Sequence, residues 1–255
     1  MQRTKEVRAG RLVYAVMYTQ ATANDTPKAR AAKRKATTAA RKAINLRYSW
    51  QKLEQLIAAN FDAGDLIVTL TYDDEHLPQD KDGARKCMKK FLSALRAHRK
   101  RRGGELKYIY NIEHLHSKGR YHHHMILNQT VDDLETIRSL WSYGENIKLA
   151  YLDPMRYEDL ARYMTKESRE EGHTDVGARS WSASLNLERP QTVSDTMPDN
   201  VTLAPPPGAI VLASEGPTRN EFGSFAFIKY LLPSRPARPA QGKKRRRGSQ
   251  KKRKT

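Results

Sequence analysis

Two alternating stretches separated by a short glycine-containing segment constrain the fold of this chain more than any other feature. Apolar residues occupy every second position from Leu106 to Glu113, and a second such stretch runs from Arg120 to Asn128, after Ser117-Lys118-Gly119. Because successive side chains of a strand point to opposite faces, this period predicts two β-strands. Their close spacing around a glycine predicts an antiparallel hairpin.

Strand and helix patterns alternate on either side of this hairpin. A β-branched run from Asp65 to Asp74 predicts a buried strand, and the segment after Asp82-Gly83 predicts a helix. Capping residues near Thr130 and Asp153-Pro154 predict two more helices on either side of another strand. We therefore expect an α+β fold, with a mainly antiparallel central sheet and flanking helices on one face.

The remaining sequence extends this core at both ends. A helix is predicted from Pro27 to about Asn60, and the apolar spacing of Trp50, Leu53 and Ile57 predicts that its second half packs on the core. The predicted organisation is an N-terminal strand and long basic helix (1–60), the core (61–190), a mobile Pro-rich loop (191–220), a closing strand that returns to the main sheet (221–234), and a disordered basic tail (235–255).

Basic charge is concentrated in two segments. The chain has 47 Lys and Arg against 28 Asp and Glu, for a net charge of +19. Residues 26–53 and 241–255 each contain nine Lys or Arg and no acid. A solubilising role is one interpretation, but two such segments favour binding to nucleic acid phosphates. The candidate contacts in the helix are Lys33, Arg34, Lys35, Arg41 and Lys42.

Composition also argues against several classes of protein. No apolar stretch is long enough to span a bilayer, and the N-terminus does not resemble a signal peptide. Cys87 is the only cysteine, so neither an intrachain disulfide framework nor a thiolate-clustered zinc site can form. These features predict a protein of a reducing cytoplasm that does not bind a membrane.

A His-x-His pair in the second strand of the hairpin is a candidate metal site. The period of a strand places His122 and His124 on the same face, and Glu113 on the neighbouring strand can reach the same point. Two imidazoles and one carboxylate leave coordination positions open for a substrate. The pattern predicts a divalent cation held by these three residues. His114 or His116 is the alternative ligand if the register differs.

Tyr163 and Lys166 lie three positions apart on the predicted last helix and therefore share a face. The apolar stripe of that helix leaves Tyr163 at the margin of the buried surface, where its phenol can reach over the sheet. A Tyr-x-x-Lys pair is by itself explained by packing. Together with the predicted metal ligands, it becomes a candidate nucleophile with a supporting cation.

Three motifs, in this order, resemble those of the replication initiators of the HUH endonuclease superfamily. They are Leu70-Thr71-Tyr72 at a strand end, Glu113 with the triplet His122-His123-His124, and Tyr163-Met164-Thr165-Lys166 on a helix. The resemblance is greatest to initiators of microvirus-like single-stranded DNA phages and of related plasmids and integrated elements. Glu167 stands where many relatives have a second tyrosine, so a one-tyrosine mechanism is implied.

This resemblance implies a metal-dependent endonuclease that nicks single-stranded origin DNA and later rejoins it. Tyr163 would form a 5′-phosphotyrosine link, assisted by Mg²⁺ or Mn²⁺ on the three predicted ligands and by Lys166. The free 3′-hydroxyl would prime rolling-circle replication by a host polymerase. Tyr72 and Arg120 are the candidate DNA contacts near the nick.

The chain lacks the Gly-x-x-x-x-Gly-Lys-Ser/Thr motif of helicases, so a host helicase or supercoiling is expected to open the duplex. The expected location is the cytoplasm of a bacterial host. Three alternatives remain: a single-tyrosine HUH transposase or relaxase, a non-catalytic basic nucleic-acid-binding protein with a structural metal, and a zinc hydrolase. The order of the motifs argues against a relaxase, because conjugative relaxases place the tyrosine before the histidines.

Overall fold

The structure is a computed structural model of the chain, and it describes residues 2–18, 50–114, 119–130, 133–166, 180–198, 201–220 and 223–233. The candidate DNA contacts Lys33, Arg34, Lys35, Arg41 and Lys42, and the predicted tail at 235–255, lie outside these ranges. Within them, no helix is both long and apolar enough to cross a membrane.

The described chain contains ten strands and four α-helices, consistent with the predicted α+β class. The strands are β1 (Gln2–Ala9), β2 (Leu12–Tyr18), β3 (Leu66–Leu70), β4 (Tyr108–Glu113), β5 (His122–Leu127), β6 (Ile147–Tyr151), β7 (Trp181–Ala183), β8 (Gln191–Met197), β9 (Ile210–Asn220) and β10 (Gly223–Leu231). The helices are α1 (50–60), α2 (Lys81–Arg101), α3 (Asp133–Leu140) and α4 (Tyr157–Met164), and a 3-10 turn (Pro154–Arg156) precedes α4.

Five strands form the site sheet, in the spatial order β6-β3-β5-β4-β7, with every pair antiparallel. The predicted hairpin is confirmed, because β4 pairs directly with β5. In this register Glu113 lies opposite His122, and Asn111 lies opposite His124. All four residues therefore share one face of the sheet.

The helices begin where the sequence provides capping groups. Asp80 caps α2 by accepting a hydrogen bond from the Gly83 amide at 2.7 Å, which satisfies a donor that the helix cannot pair. Asp153 does the same for the Met155 amide at 2.9 Å, at the start of the 3-10 turn. Both caps lie within two residues of the predicted helix starts.

Helices cover both faces of the site sheet, so the expectation of helices on one face is wrong. Helices α2 and α3 pack on one face, where Phe91 contacts the core formed with Val68. On the other face α1 and α4 pack against Ile109 and Ile126. Strands β4 and β5 carry apolar residues at both alternate positions, and each face therefore needs its own cover.

The second sheet contains the other five strands, in the order β8-β1-β2-β10-β9. The closing strand predicted at 221–234 forms β10, but it pairs with β2 and β9 and does not return to the main sheet. Strand β2 is apolar along nearly its whole length, so it is stable in the middle of a sheet with a neighbour on each side. The prediction of a single sheet is corrected accordingly.

The segment 191–220 contains strands β8 and β9, so the prediction of a mobile loop there is wrong for these residues. Strand β8 pairs with β1 over seven residues, although nearly all of its side chains are exposed. Backbone hydrogen bonds to a neighbouring strand can order a segment whose side chains show no apolar period. The N-terminus likewise forms two strands, which turn at Gly10 with a positive φ of 57°.

One apolar core joins the two sheets through α1 and α4. Leu12 and Leu231 of the second sheet, Ile57 of α1 and Ile126 of the site sheet all belong to it. The predicted packing of the second half of the long helix is confirmed at Trp50, Leu53 and Ile57, which are at most 7% exposed.

Candidate functional site

The face of the site sheet that packs on α1 and α4 changes from apolar to polar at one end. Toward this end Ile67 is followed by Thr69 in β3, Ile126 is preceded by His124 in β5, and Ile109 is followed by Asn111 in β4. The apolar residues belong to the shared core. The polar residues beyond them form the candidate site.

Glu113 and His124 form the centre of this site. Glu113 Oε2 contacts Nε2 of His124, and both side chains are largely buried, at 13% and 9% exposure. The other ring nitrogen of His124, Nδ1, lies 3.2 Å from the hydroxyl of Thr69 on β3. Both nitrogens are thus engaged, and the ring is held in one orientation.

Tyr163 reaches the same two side chains from α4. Burial of Ala161 and Met164 anchors the helix and leaves Tyr163 47% exposed. Its hydroxyl lies 3.1 Å from His124 Nε2 and donates to Glu113 Oε2 at 3.5 Å. The rings of Tyr163 and His124 meet edge to face, with centroids 4.8 Å apart.

The surroundings of Tyr163 keep its hydroxyl protonated at neutral pH. Partial burial, followed by the neighbouring Glu113 carboxylate, raises the pKa of Tyr163 to about 12. A phenol used as a nucleophile here must therefore lose its proton with help from the site.

His122 lies on the same face, directly opposite Glu113 in the strand register. Burial, followed by the charge of His124, lowers the pKa of His122 below its ordinary value and so favours the neutral imidazole that a metal ligand requires. Two of the three predicted ligands, Glu113 and His124, are in direct contact. Among the described residues, no three His, Cys, Asp or Glu side chains are already arranged as a metal centre.

His123 and Tyr72 lie on the opposite face, inside the core formed with α2 and α3. The Tyr72 hydroxyl lies 2.6 Å from His123 Nε2, and the two side chains are 5% exposed or less. Burial lowers the pKa of His123 to about 3 and raises that of Tyr72. The structure contradicts the prediction of Tyr72 as a DNA contact, because Tyr72 has the strand parity of Val68 and Leu70 and follows them into the core.

Arg120 and Lys166 lie near this end of the sheet. Arg120 pairs with Asp74 at 2.6 Å and donates to the Tyr72 carbonyl at 3.0 Å, so it ties the hairpin to the segment after β3. Its side chain stays 37% exposed. Lys166 is exposed two residues beyond the end of α4.

Three further residues of this face were not identified from the sequence. Thr69 contacts His124, and Lys148 on the edge strand β6 lies opposite Thr69 and is exposed. Asn111 lies opposite His124, is 6% exposed, and its Oδ1 has no hydrogen-bond partner in the described part of the chain. Their signal is a polar residue at every second position of a strand, on the same parity as a candidate ligand.

A stacked pair of rings stands beside the site. His114 and Tyr121, at the ends of β4 and β5 that carry the site, lie with centroids 4.4 Å apart and an interplanar angle of 28°. His114, one of the two alternative metal ligands, thus stacks on a tyrosine in this structure. His116, the other, lies outside the described residues. Partly exposed rings of this kind can stack on unpaired bases.

Comparison with known proteins adds a family-level finding. Residues 65–168 match a family model for replication-associated proteins of the ORF2 type. The matched range runs from β3 to just beyond α4 and contains Glu113, His124 and Tyr163. The match supports a relation to a replication-initiator family, and therefore DNA as a binding partner.

No curated protein matches the chain. The crystal structure of the hypothetical protein ORF119 from Sulfolobus islandicus rod-shaped virus 1 aligns with 50% of this chain and 97% of that chain, at 14% sequence identity and a TM-score of 0.33.

Proposed function

We propose that the chain is a replication initiator that nicks single-stranded origin DNA through Tyr163, primes rolling-circle replication and then rejoins the strand. The match to replication-associated proteins supports the process. The observation that carries the chemistry is the position of the Tyr163 hydroxyl, partly exposed and 3.1 Å from Nε2 of His124. An exposed phenol beside a carboxylate and an imidazole can reach a bound phosphate and be deprotonated there.

In the proposed reaction the Tyr163 oxygen attacks the scissile phosphorus. The new bond joins that oxygen to the 5′ phosphate, and the bond to the 3′ oxygen breaks. The phenol proton leaves through the acceptors that the hydroxyl already contacts, of which Glu113 is the anionic one. A proton is returned to the 3′ oxygen, which leaves as the primer hydroxyl. Rejoining is the reverse attack by a 3′-hydroxyl on the phosphotyrosine.

Glu113, His122 and His124 would hold the divalent cation, Mg²⁺ or Mn²⁺. The direct Glu113–His124 contact and the position of His122 on the same face match the donor types that such a cation accepts. When bound, it neutralises negative charge on the phosphate oxygens. Lys166 is the proposed cation for the phosphate or the phenolate, and Arg120 for the strand near the nick.

We further propose that the chain belongs with the HUH initiators of single-stranded DNA phages, plasmids and integrated elements. The order of the motifs, with Tyr163 after His122 and His124, supports this relation. A host helicase and a host DNA polymerase would then act with it, in the cytoplasm of a bacterial host.

The test is formation of a covalent adduct with single-stranded DNA. The protein is incubated with Mn²⁺ and oligonucleotides that include the origin of its own element, and the products are separated under denaturing conditions. We expect an adduct with the wild-type chain, none with Tyr163→Phe, and none in the presence of EDTA. Tyr163→Phe retains the ring that packs on His124, so DNA binding should be unchanged.

Tyr151→Phe is the matched control, because Tyr151 is 63% exposed at the far end of β6. It should form the adduct as the wild type does. Cleavage that persists in Tyr163→Phe but is lost in His122→Ala would instead support a metal hydrolase. Tight origin binding with no cleavage in any variant would support the non-catalytic binding protein.

A further inference from the structure

The exposed face of α2 is strongly basic, although the sequence pattern drew attention to charge elsewhere in the chain. Between residues 81 and 102 there are ten Lys or Arg and one acid, Asp82. Asp82 pairs with Arg85 at 2.6 Å. We define the α2 basic face by the exposed cations of the helix, which are Lys81, Arg85, Lys86, Lys89, Lys90, Arg96, Lys100 and Arg101.

The stability of the helix does not account for this charge. Solvated helix faces ordinarily mix both signs, so that residues four apart attract each other. On α2 the four-residue neighbours repel, as in the pairs Arg85 and Lys89, Lys86 and Lys90, and Arg96 and Lys100. Cations in the first half of a helix are also opposed by its dipole. The face therefore fits an external polyanion better than a role in folding.

Three of these cations form a row. Lys89, Arg96 and Lys100 are seven and four residues apart, which places them on one side of the helix. The row extends over about 17 Å, close to the length of five base pairs of duplex DNA. Among the described residues none forms an ion pair with these three cations.

The α2 basic face differs from the candidate site in that it has no exposed aromatic residue. The exposed residues between its cations are Asp82, Ser93 and Ala97. Surfaces that bind single strands combine positive charge with rings on which bases stack. Such rings lie at the site, in Tyr163 and the His114–Tyr121 pair. Charge without rings fits the phosphate backbone of a duplex.

Helix α2 also leads away from the candidate site. Its first turn lies at the site end of the sheet, where the Tyr72 hydroxyl contacts both His123 and the Ala84 carbonyl. Its last turn lies beyond the other end of β5, where the buried Arg99 donates to Asn128 at 2.6 Å. A duplex along the face would thus begin near the end of the sheet at which the strand is nicked.

We propose that the α2 basic face binds the phosphate backbone of duplex DNA that flanks the single strand at the candidate site. This inference rests on the proposed function in one respect only, namely that the polyanion is DNA. Nicking and duplex binding would then use opposite faces of the site sheet. Binding through phosphates implies no preference for base sequence.

The test measures the affinity for a labelled duplex of about 20 base pairs, roughly two helical turns, by fluorescence anisotropy over a series of salt concentrations. The variant is Lys89→Gln, Arg96→Gln and Lys100→Gln together, since Gln retains helix propensity. Its matched control is Arg3→Gln, Lys5→Gln and Lys52→Gln, which also removes two exposed Lys and one exposed Arg. Circular dichroism checks that both remain folded.

We expect the slope of log affinity against log salt to become shallower by about 3 in the α2 variant, with roughly 10- to 100-fold weaker binding near physiological salt. The control triple should change both far less. Equal losses in the two variants, or none in the α2 variant, would overturn the proposal. Equal losses for duplex and single-stranded DNA would overturn the assignment to duplex.

Adduct formation separates this inference from the proposed function. With a short single strand that has no duplex flank, the α2 variant should form the adduct at the wild-type yield. With a duplex-flanked strand at moderate salt, its yield should fall. If no protein forms an adduct but the α2 variant alone loses duplex affinity, the proposed function fails and the duplex surface stands.

Discussion

At the scale of single residues, the orientation of one imidazole organises the candidate site. His124 contacts Glu113 and Tyr163 through Nε2 and Thr69 through Nδ1. A partner on the second nitrogen selects the tautomer and the ring angle of a histidine ligand. Thr69 is therefore a positioning residue, which acts on the proposed chemistry through His124.

Thr69→Val should reduce the rate of adduct formation by roughly 10- to 100-fold, because Val has the shape of Thr without the hydroxyl that holds Nδ1. The loss should be greatest at low Mn²⁺ and should partly recover as Mn²⁺ is raised. A Mn²⁺ titration of the adduct yield measures this effect.

Thr71→Val is the control for this experiment. Thr71 has the same strand parity, but its hydroxyl donates to the Asn146 carbonyl at 2.7 Å and not to a histidine. It should leave the Mn²⁺ dependence unchanged. A similar shift in both variants would show that Thr69 has no specific role.

At the scale of elements, a buried ionic cluster fixes α4, the helix that carries Tyr163. Lys229 of β10 is 5% exposed, and its Nζ lies 2.5 Å from Glu54 of α1 and 2.6 Å from Glu158 of α4. Tyr14 of β2 donates to Glu54. The second sheet thus holds α1 and α4 together through a single cation. Any shift of α4 would move Tyr163 relative to His124.

Protonation affects the two carboxylates of this cluster differently. Burial raises the pKa of Glu54, despite the neighbouring Lys229. Burial also acts on Glu158, but hydrogen bonds and charge from Lys229 and Arg162 outweigh it and lower that pKa. The stabilising contribution of Glu158 is therefore present above its ordinary pKa and is lost as pH falls through the lowered value.

Lys229→Met should lower the free energy of unfolding by about 3–5 kcal/mol at neutral pH, because it leaves the Glu54 carboxylate buried without a cation. Adding Glu54→Gln should recover part of the loss. Urea unfolding at pH 7 measures both values. The loss should diminish toward the ordinary carboxyl pKa, where protonation removes the unpaired charge.

Arg156→Met is the surface comparison, since the Arg156–Asp159 pair is more than 60% exposed on both sides. It should change the free energy of unfolding by less than about 1 kcal/mol. A loss in Lys229→Met no larger than this would show that the cluster does not stabilise the position of α4.

At the scale of the whole molecule, the two sheets share a core and should unfold together. Leu12 of the second sheet is fully buried in the same apolar cluster as Ile126 of the site sheet. Trp141 lies in the other core, on the far face of the site sheet. Its fluorescence therefore reports the site sheet, while far-ultraviolet circular dichroism reports both.

We expect the two signals to follow one urea transition in the wild type. Leu12→Ala should shift both signals by about 2–5 kcal/mol, since it leaves a cavity in the shared core. Leu185→Ala, the same change at a fully exposed side chain, should shift neither. A shift of the circular dichroism signal without the fluorescence signal would show that the sheets are independent.

The distribution of charge also belongs to this scale. The sequence located the positive charge at 26–53 and 241–255 and left a nearly neutral remainder. That remainder contains α2, with ten Lys or Arg against one acid between residues 81 and 102, so the rest of it is acidic on balance. A net charge near zero over a long segment conceals a basic face when one helix gathers the cations.

Local sequence patterns determined much of this protein. The alternation in β4 and β5 predicted their hairpin, and hence that Glu113, His122 and His124 share a face. Capping residues and apolar spacing predicted α2 and α4, with Tyr163 at the edge of the buried surface. Period and capping act between residues close in the chain, so they can be read before the fold is known.

Only the tertiary structure decided which strands became neighbours and which faces became buried. Strands β8 and β9 have few apolar side chains, and their order comes from backbone pairing with β1 and β10. Tyr72 is interior, and Thr69 meets His124, because helices cover one face of the site sheet to its end and leave the other face polar there. Contacts between residues distant in the chain have no local pattern, since their energy depends on what the fold brings opposite them.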